Sequence, residues 1–308
     1  MPYRGEVFAL LTALCWAGSS TSFAYASRAA GGLPVNQFRL LLAVPVLMLL
    51  AALLTGQWWP THLTDDRMLL LVASGLIGLV LGDIGFFHAL AVLGPRVSSV
   101  VMATWPAFTV AIEVARGHLP TAWVALGIAM TALGVVLALL RTRAGTAWNP
   151  GMTPRQWAIG LAGALLGAVG QAGGVVLASA AMATGADLPG GVIPLQATVV
   201  RMAAAAVGMQ CVALAHRRPL AFGAVLRDRR VLGAALFGCA FGPICGVWLS
   251  MAAIRQAHDV GVAASLMATT PIFMMPISAL LYGARIGWLG GIGTVLAVAG
   301  AALMLLFS

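Results

Sequence analysis

The chain has 308 residues, of which 61% are hydrophobic and 8% are charged, and its formal net charge is +9. Soluble globular proteins carry about 25% charged residues, so this chain has too few polar side chains to cover a folded core in water. The composition therefore excludes a soluble protein and predicts an all-α protein that spans a membrane.

The positive charge comes entirely from arginine, because none of the 17 basic residues is lysine. A chain without lysine has no Walker A motif, whose lysine binds phosphates, and this excludes an ATP-driven pump that works alone. The arginines lie in short segments between apolar runs, which indicates contact with anionic lipid rather than with nucleic acid. The sequence contains no motif for a metal ion or a cofactor, and we expect neither.

Ten apolar runs are long enough to cross a bilayer, because ~30 Å of hydrocarbon requires about 20 residues at ~1.5 Å per residue. The predicted spans lie near residues 6–27, 35–55, 68–92, 96–116, 120–140, 155–183, 191–215, 230–254, 260–282 and 286–307. The first run resembles a signal peptide, since Arg4 precedes it and the small residues AYA follow at 24–26. We expect it to be retained, because Glu6 and Trp16 interrupt it and its removal would leave nine spans.

Two short segments of the chain repeat each other. MATWPAF at 102–108 and MATTPIF at 267–273 agree at five of seven positions, and each places a proline, Pro106 or Pro271, inside an apolar run. Each segment lies in the fourth span of its half. A half with an odd number of spans ends on the opposite side of the membrane from its start. The sequence therefore predicts ten transmembrane helices as two inverted five-helix repeats.

The polar connection at 141–155 divides the chain into predicted halves of 1–143 and 153–308. Of the 17 arginines, 12 fall on the side of the odd-numbered loops. Basic residues are enriched in cytoplasmic loops. The distribution of the arginines therefore favours an inner-membrane protein whose odd-numbered loops lie in the cytoplasm. Both chain termini would then lie on the outer side of that membrane.

Four segments carry a family resemblance: ALCWAGSS in span one, Arg39 at the head of span two, HALAVLGPRVSSVVMATWPAF across spans three and four, and AAIRQAHDVGVAASLMATTPIF in the second half. In these four segments the chain resembles the EamA-type branch of the drug/metabolite transporter superfamily. The resemblance implies two five-helix repeats and a transporter, in many relatives an exporter of amino acids, metabolites or toxic compounds. The pair Trp105–Pro106 is also similar to bacterial aromatic amino-acid exporters. Many relatives have cytoplasmic termini, and the arginines here favour the reverse.

Polar side chains inside apolar runs are costly in a membrane and usually face a cavity or a partner. Asp83 lies near the middle of span three, with His88 as the one basic side chain near it in sequence. We expect Asp83 to sense a proton or cation, to bind a substrate amine, or to be protonated and hydrogen-bonded to a neighbouring helix. On span one, rings and hydroxyls form a stripe that is typical of packing or of a cavity wall. The predicted substrate-cavity residues are Trp16, Ser19, Ser20, Phe23, Asp83, Phe87, His88, Trp105, Gln171 and Trp248.

Four other charged residues are predicted to have structural roles. Glu113 and Arg116 lie three residues apart on one helix face, and we expect them to form an ion pair. Arg39 and Arg201 occupy matched positions near the starts of spans two and seven, where each guanidinium is expected to reach the interface or bind backbone carbonyls.

Two further patterns concern helix geometry. Pro106 and Pro271 each remove one helical hydrogen bond, so each is expected to kink its helix and serve as a hinge. In spans five and ten, small residues recur every four positions, as in Gly127/Thr131 and Gly293/Ala297. This spacing predicts close approach of two helices, either between the halves or in a homodimer.

The patterns together predict a secondary transporter that exports a small metabolite, amino acid or drug-like compound by alternating access. Two alternatives stay open. An intramembrane enzyme would gather acids, histidines or a nucleophile at depth, and only Asp83, Glu113 and His88 qualify, without an HExxH or GxSxG motif. A channel would show a line of polar residues through one pore.

Overall fold

A computed structural model describes residues 4–115, 121–139, 148–185, 191–256, 263, 266–282 and 287–307. The regular elements among these residues are helices. They are α1 (Arg4–Ala30), α2 (Gly32–Thr55), α3 (Asp65–Leu93), α4 (Pro95–Met102), α5 (Trp105–Ala115), α6 (Ala122–Leu139), α7 (Pro154–Met182), α8 (Pro194–Ala215), α9 (Gly223–Leu226), α10 (Arg229–Gln256), α11 (Thr270–Tyr282) and α12 (Trp288–Leu306).

Six of the described helices are long and apolar enough to cross a membrane on their own, namely α1, α2, α3, α7, α8 and α10. The predicted spans five, nine and ten correspond to the shorter apolar helices α6, α11 and α12, and span four is divided between α4 and α5. The chain is therefore an all-helical, multi-pass membrane protein. The count of ten crossings stays a prediction.

One group of connections meets at the end of α3. Trp148, in the segment before α7, donates a hydrogen bond from Nε1 to the carbonyl of Ala91 (3.1 Å). The guanidinium of Arg28, near the end of α1, lies 5.1 Å from the centre of the same ring. The ring also packs on Gly94, whose φ of +82° is accessible to glycine at little cost. The ends of α1 and α3 and the described segment before α7 therefore lie on one face of the protein.

A second group of connections meets at the start of α3. Arg67 donates hydrogen bonds to the carbonyls of Ala181 (2.8 Å) and Ala183 (2.5 Å) at the end of α7. The 29 residues of α3 span about 43 Å at ~1.5 Å per residue, so this face lies opposite the first. Both α3 and α7 therefore run from one face to the other.

The two halves pack on each other reciprocally. Helix α3 of the first half packs on α7 of the second, and α10 of the second half packs on α1 of the first. Between α3 and α7 the backbones come close, since a Cβ on Gly82 would lie 3.1 Å from the Cα of Gly170. Between α10 and α1 aromatic rings fill the space, since a Cβ on Gly238 would lie 2.6 Å from the ring of Phe23. At the contact between α1 and α10, the first half thus supplies aromatic rings and the second half supplies glycine.

Helices α3 and α10 each contain one π-helical turn of seven residues, Leu76–Gly82 and Ala240–Gly246. The hydrophobic pattern of the sequence does not predict these turns, because apolar residues continue through both. The turns occupy matching places, with Asp83 and Val247 as the first residues after them. Single π-turns inside α-helices are rare and frequently occur at functional sites.

The small residues of the predicted spans five and ten join α6 to α12 within one chain. A Cβ on Gly300 would lie 2.6 Å from the carbonyl oxygen of Gly127. Thr131 donates a hydrogen bond from Oγ1 to the carbonyl of Ala297 (3.3 Å). Close backbone approach therefore ties the last helices of the two halves together.

We expect Gly300→Ala to lower the free energy of unfolding by about 1–3 kcal/mol, because the added methyl group would overpack the backbone of α6. Gly291→Ala on the same helix is the control, since nothing lies within 4 Å of a Cβ added there and alanine favours a helix. Thermal unfolding of the purified variants in detergent measures the difference. Equal melting temperatures for the two variants would contradict the close packing of α6 on α12.

Candidate functional site

A cavity of about 110 Å³ lies between the two halves. Its walls come from α1, α2, α3, α4, α7 and α10 and from both copies of the repeated segment. Eight of the ten predicted cavity residues line it: Trp16, Ser19, Ser20, Phe23, Asp83, Phe87, Trp105 and Gln171. That they contact a substrate stays a prediction.

The other two predicted cavity residues lie elsewhere. His88 borders a separate pocket together with His216. Trp248 packs against the apolar cluster between α2 and α8, and its neighbour Val247 lines the cavity instead. Successive residues of an α-helix point about 100° apart, so depth in the membrane does not by itself place a side chain in the cavity.

Both repeated segments interrupt their helix at the cavity. Helix α4 ends at Met102 and α5 begins at Trp105, and in the second half a turn at 268–269 precedes α11, which begins at Thr270. Pro106 is the second residue of α5, a place where the missing N–H of proline needs no acceptor. Pro271 holds the same place in α11. The structure therefore has a complete break where a kink was predicted, and the hinge role stays a prediction.

The hydrogen bonds at the two breaks match. Thr104 donates from its backbone N (3.0 Å) and from Oγ1 (2.7 Å) to the carbonyl of Val101. Thr269 donates in the same way, at 3.1 and 2.6 Å, to the carbonyl of Leu266. The sequence identity of the two segments thus corresponds to one local structure that occurs twice.

The two segments differ at one cavity position. Thr270 donates from Oγ1 to the carbonyl of Met267 (2.8 Å), which accepts no helical hydrogen bond from Pro271. Trp105 holds the matching position in the first half, where its ring is 4% exposed and packs in an apolar cluster with Met267 and Ala168. An indole ring in one half and a hydroxyl in the other therefore line the same cavity.

An ion pair between Arg39 on α2 and Asp83 on α3 forms the charged part of the wall. The guanidinium of Arg39 also lies 4.9 Å from the centre of the Phe87 ring. The sequence offered only His88 as a basic side chain near Asp83, whereas the fold brings Arg39 on α2 to it from 44 positions earlier in the chain. Arg39 is only 7% exposed, so its side chain packs inside the protein and does not reach the protein surface as one of the two expectations had it.

Arg201 on α8 is 3% exposed. Its Nη1 contacts the sulfur of Met251 at 3.2 Å, and its Nη2 lies against Gly78 in the π-turn of α3. The second half has Val247 where the first has Asp83. Within the described ranges, no acidic side chain forms an ion pair with Arg201. The matched arginines of the two halves therefore have different partners.

The predicted ion pair of Glu113 and Arg116 is not described. Glu113 lies on α5, with a side chain outside the described part, and Arg116 lies outside the described residues. The pair stays a prediction.

Several cavity residues were not predicted, among them Phe86, Ser99 and Thr270. Ser99 is 4% exposed, and its Oγ has no hydrogen-bond partner among the described residues. A serine pair within an apolar span, as at 98–99, is the signal that could have indicated it. Thr270 could have been found as the counterpart of Trp105 in the repeated segment.

A central cavity enclosed by two similar halves, each with a broken helix beside it, defines an internally repeated membrane protein of the transporter class. The sequence profile of the EamA-like transporter family matches residues 3–140 and again 158–306. The chain therefore belongs to the EamA-like transporter family, which is part of the drug/metabolite transporter superfamily.

Sixteen chains of solved structures also match. One, described as the crystal structure of a protein, has 17% sequence identity and a TM-score of 0.62, and the match covers 100% of this chain and 98% of the other. At this identity the likeness shows the fold alone. No curated protein matches the chain.

Proposed function

We propose that the protein is a secondary transporter that exports a small metabolite, amino acid or drug-like compound by alternating access. The observation that supports this most directly is the cavity between the halves, lined by a broken helix from each. Broken helices at the interface of two repeats are where many secondary transporters bind their substrates. Rocking of one half against the other would open the cavity to each side in turn.

We also propose that the halves are inverted relative to each other and together cross the membrane ten times. The reciprocal packing of α3 on α7 and of α10 on α1 supports an internal two-fold axis. The alternation of the connections between two faces supports crossing by successive spans. Trp123 at the start of α6 stacks on Phe307 after α12 at a ring distance of 5.5 Å, as expected if both lie on the face that holds even-numbered loops and the C-terminus.

The distribution of the arginines supports one orientation in the membrane. The connection between α8 and α10 holds Arg217, Arg218 and Arg227, followed by Arg229 and Arg230, and all of these lie on the face of the odd-numbered loops. We propose that this face is cytoplasmic in an inner membrane, next to anionic lipid, and that both termini lie outside. A homodimer is compatible with this arrangement, and light scattering of the purified protein would test it.

Transport is tested in proteoliposomes. A thermal-shift screen of the purified protein against amino acids and metabolites first selects a ligand, and uptake of the labelled ligand is then measured with and without unlabelled ligand inside. The proposal predicts saturable uptake that internal ligand accelerates. Chemical conversion of the ligand would favour an enzyme, and conductance far above carrier rates would favour a channel.

Filling the cavity is expected to abolish uptake. Ser20 lines the cavity on α1 and is 8% exposed, so Ser20→Trp would place an indole in the substrate space. Leu14→Trp is the control, because Leu14 lies on the same helix and is 49% exposed. The expected uptake is near background for the first variant and near the unmodified rate for the second. Equal uptake by the two would contradict a substrate path through this cavity.

A further inference from the structure

Two buried arginines and the largely buried carboxyl group of Asp83 lie together beside the cavity, and their charges do not cancel. When all three groups are ionised, Arg39 and Arg201 carry two positive charges and Asp83 carries one negative charge. No second carboxylate joins this group within the described part of the chain. A buried charge without a partner is costly in a protein interior and more so inside a membrane. Among the described residues, the cluster therefore carries one positive charge in excess, which one added negative charge would balance.

The cavity wall offers hydrogen-bond donors for such a charge. Arg39 lines the cavity, and its Nε has no hydrogen-bond partner among the described residues. Ser99 lines the same cavity from α4, and its buried Oγ is likewise without a partner in the described ranges. Guanidinium and hydroxyl donors match the oxygens of a carboxylate, and the guanidinium can hold two of them at once.

Asp83 has a second arginine available. The guanidinium of Arg201 lies against Gly78, within the π-turn that ends just before Asp83. A π-turn holds one residue more than an α-turn, so converting or shifting it rotates the following helix segment by about 100°. Such a rotation would change which arginine faces Asp83.

We propose that the substrate carries one anionic group, a carboxylate in the simplest case, which pairs with Arg39 while Asp83 passes to Arg201. This inference rests on the proposed transport function and specifies its substrate class. The bound state then contains two guanidinium–carboxylate pairs and no net buried charge. A cationic substrate would instead raise the buried positive charge, and a neutral one would leave it unchanged. The rings of Trp16, Phe23 and Trp105 provide an apolar surface for the rest of the molecule.

The test compares three probes of similar shape, namely phenylacetate, phenylacetamide and 2-phenylethylamine, by calorimetric titration into the purified protein. We expect phenylacetate to bind at least about tenfold more tightly than the other two, because only it supplies the missing charge. Calorimetry measures binding and does not depend on transport. Loss of the preference for the acid can therefore be distinguished from loss of transport. A protein that binds the acid and moves nothing would contradict the transport function alone.

The variant Asp83→Asn distinguishes an acidic substrate from an amine substrate. It removes the competitor of the substrate at Arg39, so phenylacetate binding is expected to strengthen by about tenfold. If Asp83 were instead the ligand of a substrate amine, this variant would weaken the binding of 2-phenylethylamine and leave the acid unaffected. The double variant Arg39→Gln/Asp83→Asn keeps the paired polar groups matched in size, and it is expected to lose the preference for the acid.

Arg155→Gln is the control for net charge, because Arg155 is exposed at the start of α7, and it is expected to bind phenylacetate as the unmodified protein does. Equal binding of the acid and the amide would overturn the proposal, as would weaker acid binding by Asp83→Asn. Failure of all three probes to bind would count against it as well.

Discussion

Replacing Arg39 with methionine is expected to lower the free energy of unfolding by about 3–5 kcal/mol, the range measured when one partner of a buried ion pair is removed. The guanidinium of Arg39 is the direct ion-pair partner of the Asp83 carboxylate, and the Phe87 ring packs against it. Methionine retains the length of the side chain and removes its charge, so the carboxylate loses its direct partner. Arg201 forms no ion pair with Asp83 in this structure, and it would offset the loss only if the π-turn of α3 also shifted. Transport is expected to be lost as well, because the guanidinium lines the cavity.

The double variant Arg39→Met/Asp83→Asn separates lost pairing from lost packing. Removing both charges leaves no carboxylate to desolvate, so a large part of the lost stability is expected to return, while transport stays absent. Thermal unfolding of the three proteins in one detergent measures the stability, and uptake in proteoliposomes measures the transport. A double variant as unstable as the single variant would show that packing, and not charge, accounts for the effect.

Replacing Trp105 with valine or threonine is expected to cost about 3–5 kcal/mol of stability, as for other large buried side chains made small. Both variants are expected to lose uptake, because each removes the ring that lines the cavity beside Pro106. Threonine and valine have similar shapes and differ by one hydroxyl group. The difference in stability between the two variants therefore measures the contribution of that hydroxyl.

The threonine variant makes the first repeated segment match the second at this position. Its hydroxyl is expected to donate to the carbonyl of Met102, as Thr270 donates to that of Met267. The threonine variant should therefore be more stable than the valine variant by about 1 kcal/mol, the usual net value of one hydrogen bond. Thermal unfolding of the two purified variants decides this. A less stable threonine variant would contradict the structural equivalence of the two segments.

The two-halved organisation was accessible from the sequence because it depends on local patterns. Apolar runs of sufficient length predicted the helices, and the recurrence of MATWPAF as MATTPIF pointed to the repeat that the family match supports. The stripe of Trp16, Ser19, Ser20 and Phe23 was placed on one helix face by its spacing, and all four side chains line the cavity.

What the sequence did not reveal depends on contacts between distant segments. The partner of Asp83 comes from 44 positions earlier, and no spacing rule connects the two residues. The π-turns were missed because they leave the apolar pattern intact. His88 and Trp248 were misplaced because a polar or aromatic residue at cavity depth has several neighbours, and only the packing of the helices decides which one it faces.

Alternating access requires that the cavity between the halves opens to each side of the membrane in turn. The most direct test replaces Cys15, Cys211, Cys239 and Cys245 and introduces one cysteine at Ser20, on the cavity wall. A membrane-impermeant thiol reagent is then applied from one side or the other of oriented proteoliposomes. Leu14→Cys is the control, because Leu14 is 49% exposed on an apolar helix and is expected to face lipid. Alternating access predicts that the cysteine at position 20 is modified from either side and that the cysteine at position 14 is modified from neither. Modification of position 20 from one side only would contradict it.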